Sequence, residues 1–226
     1  MTRSHSLTRI LKVPIEFYRY YTKSILIYLD VKKLFINTHC FLMSHNDKLN
    51  MYSPSIDSFL LARSLENYNG NRALEIGIGS GIILRVLCKN FKIVAGTDIS
   101  FATIKQCKTM TGSKAMIVCC DAASAFCNGL FDLIVFNPPY LPNEEHPTKD
   151  EDCTTDGGPT GIEVTLHFLE SALPTLDVKG RLLIIVSSLA DLSKFDYLVS
   201  ALNLRRRTVD KSYLFFEQLS VIELSF

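Results

Sequence analysis

The tetrad Asn137-Pro138-Pro139-Tyr140 has residue types that suit chemistry on a planar nitrogen. Two consecutive prolines stiffen the backbone, so the Asn137 side chain and the Pro138 carbonyl are held in fixed directions. These two oxygens can accept both N–H bonds of an NH2 group while Tyr140 stacks against its plane. Because the nitrogen lone pair is then free to meet an electrophile, catalysis is chiefly orientation and needs no general base before attack. An Asn-Pro-Pro turn without a function is the alternative.

A glycine-rich loop lies upstream, in the segment Glu75-Ile76-Gly77-Ile78-Gly79-Ser80-Gly81, between a predicted strand and a predicted helix. Glycines let the backbone turn tightly and approach a ligand, and the helix N-terminus favours negative charge. The spacing is G-x-G-x-G, whereas nicotinamide cofactors favour G-x-G-x-x-G. It is the spacing of enzymes that use S-adenosylmethionine (SAM) and release S-adenosylhomocysteine. We therefore expect the loop to bind SAM, through residues Glu75, Gly77, Gly79 and Gly81.

Two further carboxylates follow predicted strands. Asp98 ends the strand after the glycine loop, where an acid can accept both ribose hydroxyl protons, and Ile99 next to it is assigned to the same pocket. Asp121 follows the next strand, where it can receive the adenine amino group with Ala122 against the ring. Capping of a turn is the alternative role for Asp121.

The elements that must position these residues alternate between strand and helix. The predicted first helix, 55–67, has an apolar stripe of Ile56, Phe59, Leu60 and Leu65. The pattern predicts an α/β fold with an open, seven-stranded, mostly parallel sheet and helices on both faces, whose strand ends form the ligand edge. The other predicted helices are 82–88, 101–109, 163–176 and 189–202, and the predicted strands are 72–76, 92–97, 115–119, 132–136, 181–187, 206–211 and 215–224.

Composition excludes several classes of protein. The 226 residues are 47% hydrophobic with a net charge of +1, which excludes disordered chains and proteins that coat nucleic acid by charge alone. No apolar run is long enough for a transmembrane helix, so no membrane partner is expected. The seven cysteines form no Cys-x-x-Cys or Cys/His ligand spacing, which predicts reduced thiols, no metal site and a cytoplasmic location.

Charge divides the chain into two predicted regions. Residues 1–50 carry eight Lys/Arg against three acids, whereas residues 51–226 carry sixteen against twenty. We expect 51–226 to be the catalytic domain and 1–50 to be a basic extension whose role the sequence does not define. A mitochondrial presequence and a translation start at Met43 or Met51 are the alternatives for this extension, and a nuclear location is an alternative to the cytoplasm.

From about residue 52 to residue 226 the chain resembles the class I SAM-dependent methyltransferases of the HemK-like family, in its short eukaryotic and archaeal branch. Besides the glycine loop and the tetrad, the similarity includes 52–59, whose Tyr52, Asp57, Ser58 and Phe59 match a helix beside the methionine end of the cofactor. It also includes the turn 156–161, which resembles the Gly-Gly-x-x-Gly motif of the branch. Ile56 and Ile162 depart from the usual acid and arginine. The resemblance implies methylation of the glutamine in the Gly-Gly-Gln motif of class I translation termination factors.

Two other functions stay open on the sequence alone. Enzymes that methylate exocyclic base amines of DNA or RNA share the tetrad, and a SAM-binding scaffold without turnover is a third possibility. The acidic balance of 51–226 and the acids at 144, 145 and 150–152 favour a basic protein acceptor over nucleic acid.

The predicted third strand, 115–119, is apolar, contains no Pro or Gly, and would lie at the open edge of the sheet. Soluble proteins usually protect such an edge, so a partner that pairs with it is expected. The resemblance implies a small zinc-binding activator subunit at this edge. Coverage of the strand by part of residues 1–50 is the alternative.

Overall fold

The computed structural model describes residues 56–142 and 155–226. Tyr52 and the acidic residues at 144, 145 and 150–152 lie outside the described residues. The helices are α1 (Ile56–Ser64), α2 (Ile82–Asn90), α3 (Phe101–Thr111), α4 (Glu163–Ala172) and α5 (Leu192–Ala201). The strands are β1 (Gly70–Ile76), β2 (Phe91–Asp98), β3 (Met116–Cys119), β4 (Phe131–Phe136), β5 (Leu176–Ser187), β6 (Arg205–Leu214) and β7 (Glu217–Ser225).

The seven strands form one sheet in the order β3-β2-β1-β4-β5-β7-β6. The first five strands are parallel, and β7 is antiparallel to both β5 and β6. The predicted fold class, an open seven-stranded sheet with mostly parallel strands, is therefore confirmed. Since β1, β4 and β5 point the same way, their carboxyl ends share one edge, which we call the carboxyl edge.

The core lies on both faces of the central strands. β4, with the sequence FDLIVF, is buried at every position except Asp132, as expected for a parallel strand that helices cover on both sides. Leu61 of α1 and Leu65 after it pack in the same cluster as Leu219 and Val221 of β7. The segment before β1 and the last strand therefore share one hydrophobic core.

A buried polar contact ties the start of the described chain to its last strand. The Tyr68 hydroxyl donates a hydrogen bond of 2.5 Å to Glu223 of β7, which also accepts a bond from Arg207 of β6. Burial and the neighbouring Glu223 raise the pKa of Tyr68 to about 12. Tyr68 therefore stays protonated and keeps donating across the neutral range.

Several predicted boundaries were wrong for local reasons. Ile56 and Phe59 are exposed, so their assignment to the apolar stripe was wrong, whereas Leu60 and Leu65 are buried as predicted. Leu61, which the predicted stripe left out, is buried as well. Pro174 replaces the end of the predicted fourth helix by a 3-10 turn because it cannot donate within an α-helix. β5 begins earlier than predicted, at Leu176, and Asp191 delays α5 by capping it through a bond from the Lys194 N–H.

β3 is the edge strand, as predicted, and among the described strands it pairs only with β2. It is shorter than predicted, with four residues, and Met116 is 54% exposed. Within the described part of the chain, no helix is long and apolar enough to cross a membrane.

Candidate active site

The tetrad follows directly from the carboxyl end of β4. β4 ends at Phe136, and the next residue, Asn137, is half-buried. Its side-chain oxygen is buried and has no hydrogen-bond partner among the described residues. A buried amide oxygen without a partner carries an energetic cost, which a donor from a bound ligand would remove. The tetrad therefore presents an unused acceptor at the carboxyl edge.

The start of α1 lies against the tetrad. Asp57 and Ser58 are buried, and Asp57 accepts a hydrogen bond of 3.2 Å from the Tyr140 hydroxyl. The ring of Tyr140 is thus oriented by a residue far away in sequence. Phe59, assigned to the same group, is 57% exposed, because it points away from the core that Leu60 and Leu61 enter.

Two glycines of the turn 156–161 close on the tetrad from the other side. A Cβ on Gly161, whose φ is +75°, would lie 2.4 Å from the Tyr140 carbonyl oxygen, and a Cβ on Gly157 would lie 2.8 Å from the Tyr140 Cα. The Gly157 N–H also donates to the Leu141 carbonyl at 2.9 Å. Only glycine allows this approach, so the turn fixes the backbone that follows the prolines.

The glycine loop folds back over the end of β2. The Gly77 and Ile78 N–H groups donate to the Thr97 carbonyl at 2.8 and 3.0 Å, and Gly77, Gly79 and Gly81 all have positive φ. A Cβ on Gly77 would meet nothing nearer than Phe168 at 3.9 Å, so the loop leaves room for a ligand at Gly77. Gly81 forms the N-cap of α2, whose unpaired N–H groups face this loop.

Asp98 is connected to the loop. Its carboxylate accepts hydrogen bonds from the Gly79 N–H at 3.1 Å and from the Ser100 N–H at 2.8 Å. Burial raises the pKa of Asp98 although these backbone bonds oppose the shift. The Ile99 N–H also bonds to this carboxylate. A carboxylate has about four acceptor positions, so acceptor capacity remains for a ribose hydroxyl. Ser100, not Asp98, caps α3, by accepting from the Thr103 N–H.

Glu75 is the buried acid beneath the loop. It is 3% exposed, and its Oε2 has no partner among the described residues. Burial, with a further contribution from the charge of Asp98, raises the pKa of Glu75 well above its usual range. The site thus contains two acids whose charged forms are destabilised and would gain from a cationic ligand.

Asp121 has a partner that the sequence did not indicate. Its carboxylate lies 2.8 Å from the Nε2 of His167 in α4, and both side chains are partly exposed. Ala122, beside it, is buried and has a φ of +45°. The two residues are 46 positions apart, so no spacing in the sequence predicts the contact. The only available signal is that histidine is a common partner of a carboxylate. Any adenine contact at Asp121 would share the carboxylate with His167.

The described residues fit SAM. The space at Gly77, the remaining acceptor capacity of Asp98 and the unpartnered Glu75 oxygen suit a ligand with ribose hydroxyls and positive charge. Ile99 is exposed beside Asp98, at the same end of β2. No group of three or more His, Cys, Asp or Glu in the described ranges is placed to hold a metal ion.

Comparisons with known proteins agree with this geometry. The methyltransferase domain family matches residues 74–138, which run from β1 into the tetrad. A putative protein N5-glutamine methyltransferase of Methanocaldococcus jannaschii is 34% identical over 144 residues, which cover 61% of this chain and 72% of the relative. The mouse methyltransferase HEMK2 is 27% identical, over 58% of this chain and 69% of that protein.

A solved structure has the same fold. It is that of the E. cuniculi Mtq2-Trm112 complex, described as responsible for methylation of the eRF1 translation termination factor. The match has a TM-score of 0.62 and 22% identity, and it covers 78% of this chain and 99% of the other. With the M. jannaschii relative, these findings show that this chain belongs to the HemK-like family of SAM-dependent methyltransferases, the family of the protein N5-glutamine methyltransferases.

Proposed function

We propose that this enzyme transfers the methyl group of SAM to the side-chain amide nitrogen of the glutamine in the Gly-Gly-Gln motif of a class I translation termination factor. The observation that carries the proposal is the buried oxygen of Asn137, directly after β4, which has no hydrogen-bond partner among the described residues. An amide NH2 group supplies the donor that this oxygen lacks, and the relatives named above include a putative protein N5-glutamine methyltransferase.

Asn137 and Pro138 hold the acceptor. The Asn137 side chain and the Pro138 carbonyl accept the two N–H bonds of the glutamine amide, which turns its lone pair out of conjugation. Bound SAM supplies an electrophilic methyl group on a sulfonium. Because the lone pair is directed by hydrogen bonds, no general base acts before attack, and the amide proton leaves to solvent afterwards.

Tyr140 defines the plane of the acceptor. Its ring stacks on the amide, and its hydroxyl bond to Asp57 together with the close approach of Gly161 limits its movement. A rigid, closed pocket of this kind lowers the entropic cost of orientation. Pro139 contributes by keeping Tyr140 at a fixed distance from Asn137.

The cofactor is held by the remaining site residues. Gly77, Gly79 and Gly81 pass close to it, Asp98 accepts from the ribose hydroxyls, and Glu75 lies beneath its positive charge. The other residues assigned to the cofactor are Tyr52, Asp57, Ser58, Phe59, Ile99, Asp121 and Ala122. Asn137 borders the cofactor as well, but in this proposal its side-chain oxygen accepts from the glutamine amide.

The charge of the carboxyl edge favours a protein acceptor over nucleic acid. Three segments lie at or near the tetrad: 137–142 follows β4, 155–163 contains the turn against Tyr140, and 187–193 begins at the end of β5. None of these segments contains Lys or Arg. They do contain three acids, Asp156, Glu163 and Asp191. Enzymes that bind nucleic acid need cations against the phosphates. A protein surface that is apolar or basic around its glutamine meets no such obstacle.

A transfer assay with tritium-labelled SAM tests the proposal. The acceptors are a class I termination factor, its Gly-Gly-Gln variant with Gln→Ala, and total RNA and DNA as separate arms. Label in the unmodified factor alone supports the proposal. Label in RNA or DNA alone, or equal label in the factor and its Gln→Ala variant, refutes it, and label in no acceptor supports a scaffold.

We further infer that β3 binds a small activator subunit by strand pairing. β3 is a short edge strand, and Ile99, Phe101, Met110 and Met116 on and around it are exposed. The related E. cuniculi enzyme was solved as a complex with Trm112. In this proposal the partner, and not this chain, carries the zinc. The pairing would satisfy backbone groups that β3 leaves open.

We also propose that residues 51–226 form the methyltransferase domain and that the enzyme acts in the cytoplasm. The described elements span most of this range, and Cys88, Cys107, Cys120 and Cys127 are free thiols. Free thiols are typical of a reducing compartment. Residues 1–50 are a basic extension outside the domain in this proposal.

A further inference from the structure

The turn between β6 and β7 is made of two exposed phenylalanines. Leu214 pairs with Glu217, so Phe215 and Phe216 form a two-residue hairpin turn. Both rings are fully exposed, at 105% and 95%, and Tyr213 beside them is 74% exposed. We call residues 213–216 the aromatic tip.

The local fold does not account for these residue types. Two-residue hairpin turns need positive φ at one or both central residues and therefore favour Gly, Asn and Asp. Phe215 has a φ of +33°, a conformation that a bulky side chain rarely adopts. Phe215 is therefore an unfavourable residue for the backbone conformation of this turn, and both phenylalanines expose apolar rings to solvent. Residues that local stability does not favour are concentrated at functional positions.

The aromatic tip stands over the carboxyl edge. β6 runs parallel to β5, because both are antiparallel to β7, so the end of β6 is on the side of the tetrad. Ser187, the last residue of β5, pairs with Leu219. Phe216 is three residues beyond that pair, so the tip extends about 10 Å past the end of β5.

A continuous set of contacts joins the base of this hairpin to the tetrad. Ser188 and Gln218 exchange two hydrogen bonds of 2.9 Å. The Asp191 N–H then donates to the Thr160 carbonyl, and the neighbouring Gly161 lies against Tyr140. The tip and the acceptor pocket are therefore held in one arrangement.

Strand spacing gives the distance between them. β7 lies two strands from β4, which is about 10 Å across the sheet. Val221 of β7 pairs with Ile185, which is at about the level of Asn137. Phe216 is five residues further along the hairpin, which adds about 16 Å in the strand direction. The aromatic tip is thus on the order of 15–20 Å from the acceptor amide. A small acceptor bound at the tetrad cannot reach it, whereas a folded protein that presents a glutamine can.

We infer that the aromatic tip docks the acceptor protein, by inserting Phe215 and Phe216 into an apolar surface some distance from the target glutamine. The inference rests on the proposed function. The segment 212–218 contains no Lys or Arg and one acid, Glu217, which disfavours stacking on the bases of a nucleic acid. Exposed aromatic side chains are common anchors of protein interfaces.

The test replaces Phe215-Phe216 by Asn-Gly, a favoured sequence for this turn, so the hairpin is expected to fold at least as well. Methyl transfer is measured with the full chain on the intact termination factor and on a short Gly-Gly-Gln peptide. Val178→Asn is the matched control, because Val178 is a 74% exposed apolar residue near the start of β5, at the end of the strand away from the carboxyl edge.

We expect KM for the intact factor to rise about tenfold or more, with kcat on the peptide, SAM affinity and thermal stability unchanged. An unchanged KM for the intact factor in an active enzyme overturns the docking inference alone. An equal loss on the factor and the peptide also overturns it, since the tip would then act on the pocket itself. If the parent methylates neither acceptor, the proposed function fails and this inference fails with it.

A photo-crosslinking residue at position 216 gives an independent readout. We expect it to capture the termination factor in the presence of S-adenosylhomocysteine. Capture of added RNA with no capture of the factor overturns the inference.

Discussion

The Tyr140 hydroxyl donates a hydrogen bond to Asp57, which stands 83 residues earlier in the chain. One residue belongs to the proposed acceptor pocket and the other to the helix assigned to the cofactor. The contact therefore joins the two halves of the site, and its removal should affect the reaction more than the binding of either ligand.

Tyr140→Phe keeps the ring but removes this bond. We expect kcat to fall about three- to tenfold, because the ring is less restricted and a buried carboxylate loses a donor. SAM affinity should stay within a factor of about two. Steady-state kinetics on the termination factor measure the first quantity and calorimetry the second, with Tyr197→Phe on exposed α5 as the control. Parent kinetics in Tyr140→Phe would show that Asp57 does not position the ring.

Asn137→Ala removes the unpartnered acceptor. The loss of a dedicated orienting oxygen typically costs about 10²-fold or more in rate, so transfer should nearly cease. SAM affinity should change little, because the residue faces the acceptor amide. Single-turnover transfer and calorimetry give the two values, and Asn71→Ala, at an exposed position of β1, is the matched control. Equal weakening of rate and SAM binding would show that the role of Asn137 is misassigned.

Asp98→Ala should have the reverse effect. Two hydrogen bonds from ribose hydroxyls to a charged acceptor contribute about 1.5–3 kcal/mol, and SAM should bind more weakly by that amount. The control is Asp132→Ala, because Asp132 also accepts two backbone N–H bonds, from Asn71 and Arg72 at the start of β1. A calorimetric affinity within a factor of about two of the parent would rule out ribose binding by Asp98.

Glu75→Gln should change how stability depends on pH. The pKa of Glu75 is raised by burial and by Asp98, so the native state binds the proton more tightly than the unfolded chain does. The cofactor-free parent therefore loses stability as pH rises from the usual carboxyl value of 4.5 through the raised pKa.

The Gln variant lacks this loss, so its stability advantage over the parent should grow with pH. Urea unfolding between about pH 5 and about pH 9 measures the difference, with exposed Glu66→Gln as the control. Parallel stability curves for the Glu75 variant and the parent would contradict a raised pKa.

Met116→Lys tests the partner surface at β3. Met116 is exposed, whereas Ile117 next to it packs against the core, so a lysine at 116 should leave the domain folded. We expect the full chain to lose co-purification with a small Trm112-like subunit and to keep its SAM affinity, while Val178→Lys keeps both. A soluble, fully active parent that ignores the small subunit would refute the partner proposal.

Much of the fold followed from the sequence because the strands carry strong local signals. The glycine loop predicted the β1–α2 junction, and Pro138-Pro139 predicted the end of β4. β5 was only half predicted, because Val178 and Lys179 are exposed and interrupt its apolar pattern. Its first residues join the sheet through a register shift between Phe131 and Leu133, which no local pattern indicates.

The site was less accessible to prediction where tertiary contacts decide burial. Helical periodicity assigned Ile56 and Phe59 to the core, but the structure buries the polar Asp57 and Ser58 because they face the site. His167 could not be connected to Asp121 from spacing alone. The contact of Gly79 with Asp98, in contrast, follows directly from two adjacent parallel strands.

The strand order has a consequence for synthesis on the ribosome. β7 follows β6 in the chain but lies between β5 and β6 in the sheet. β5 and β6 both pair with β7, which is synthesised after them. Each therefore keeps an unpaired edge until residues 217–225 have left the exit tunnel. The Tyr68 bond to Glu223 closes only then. Translation must run through the seventh strand before the sheet is complete. Stalled or shortened nascent chains would therefore expose the unpaired edges of β5 and β6, which are prone to aggregation, to chaperones.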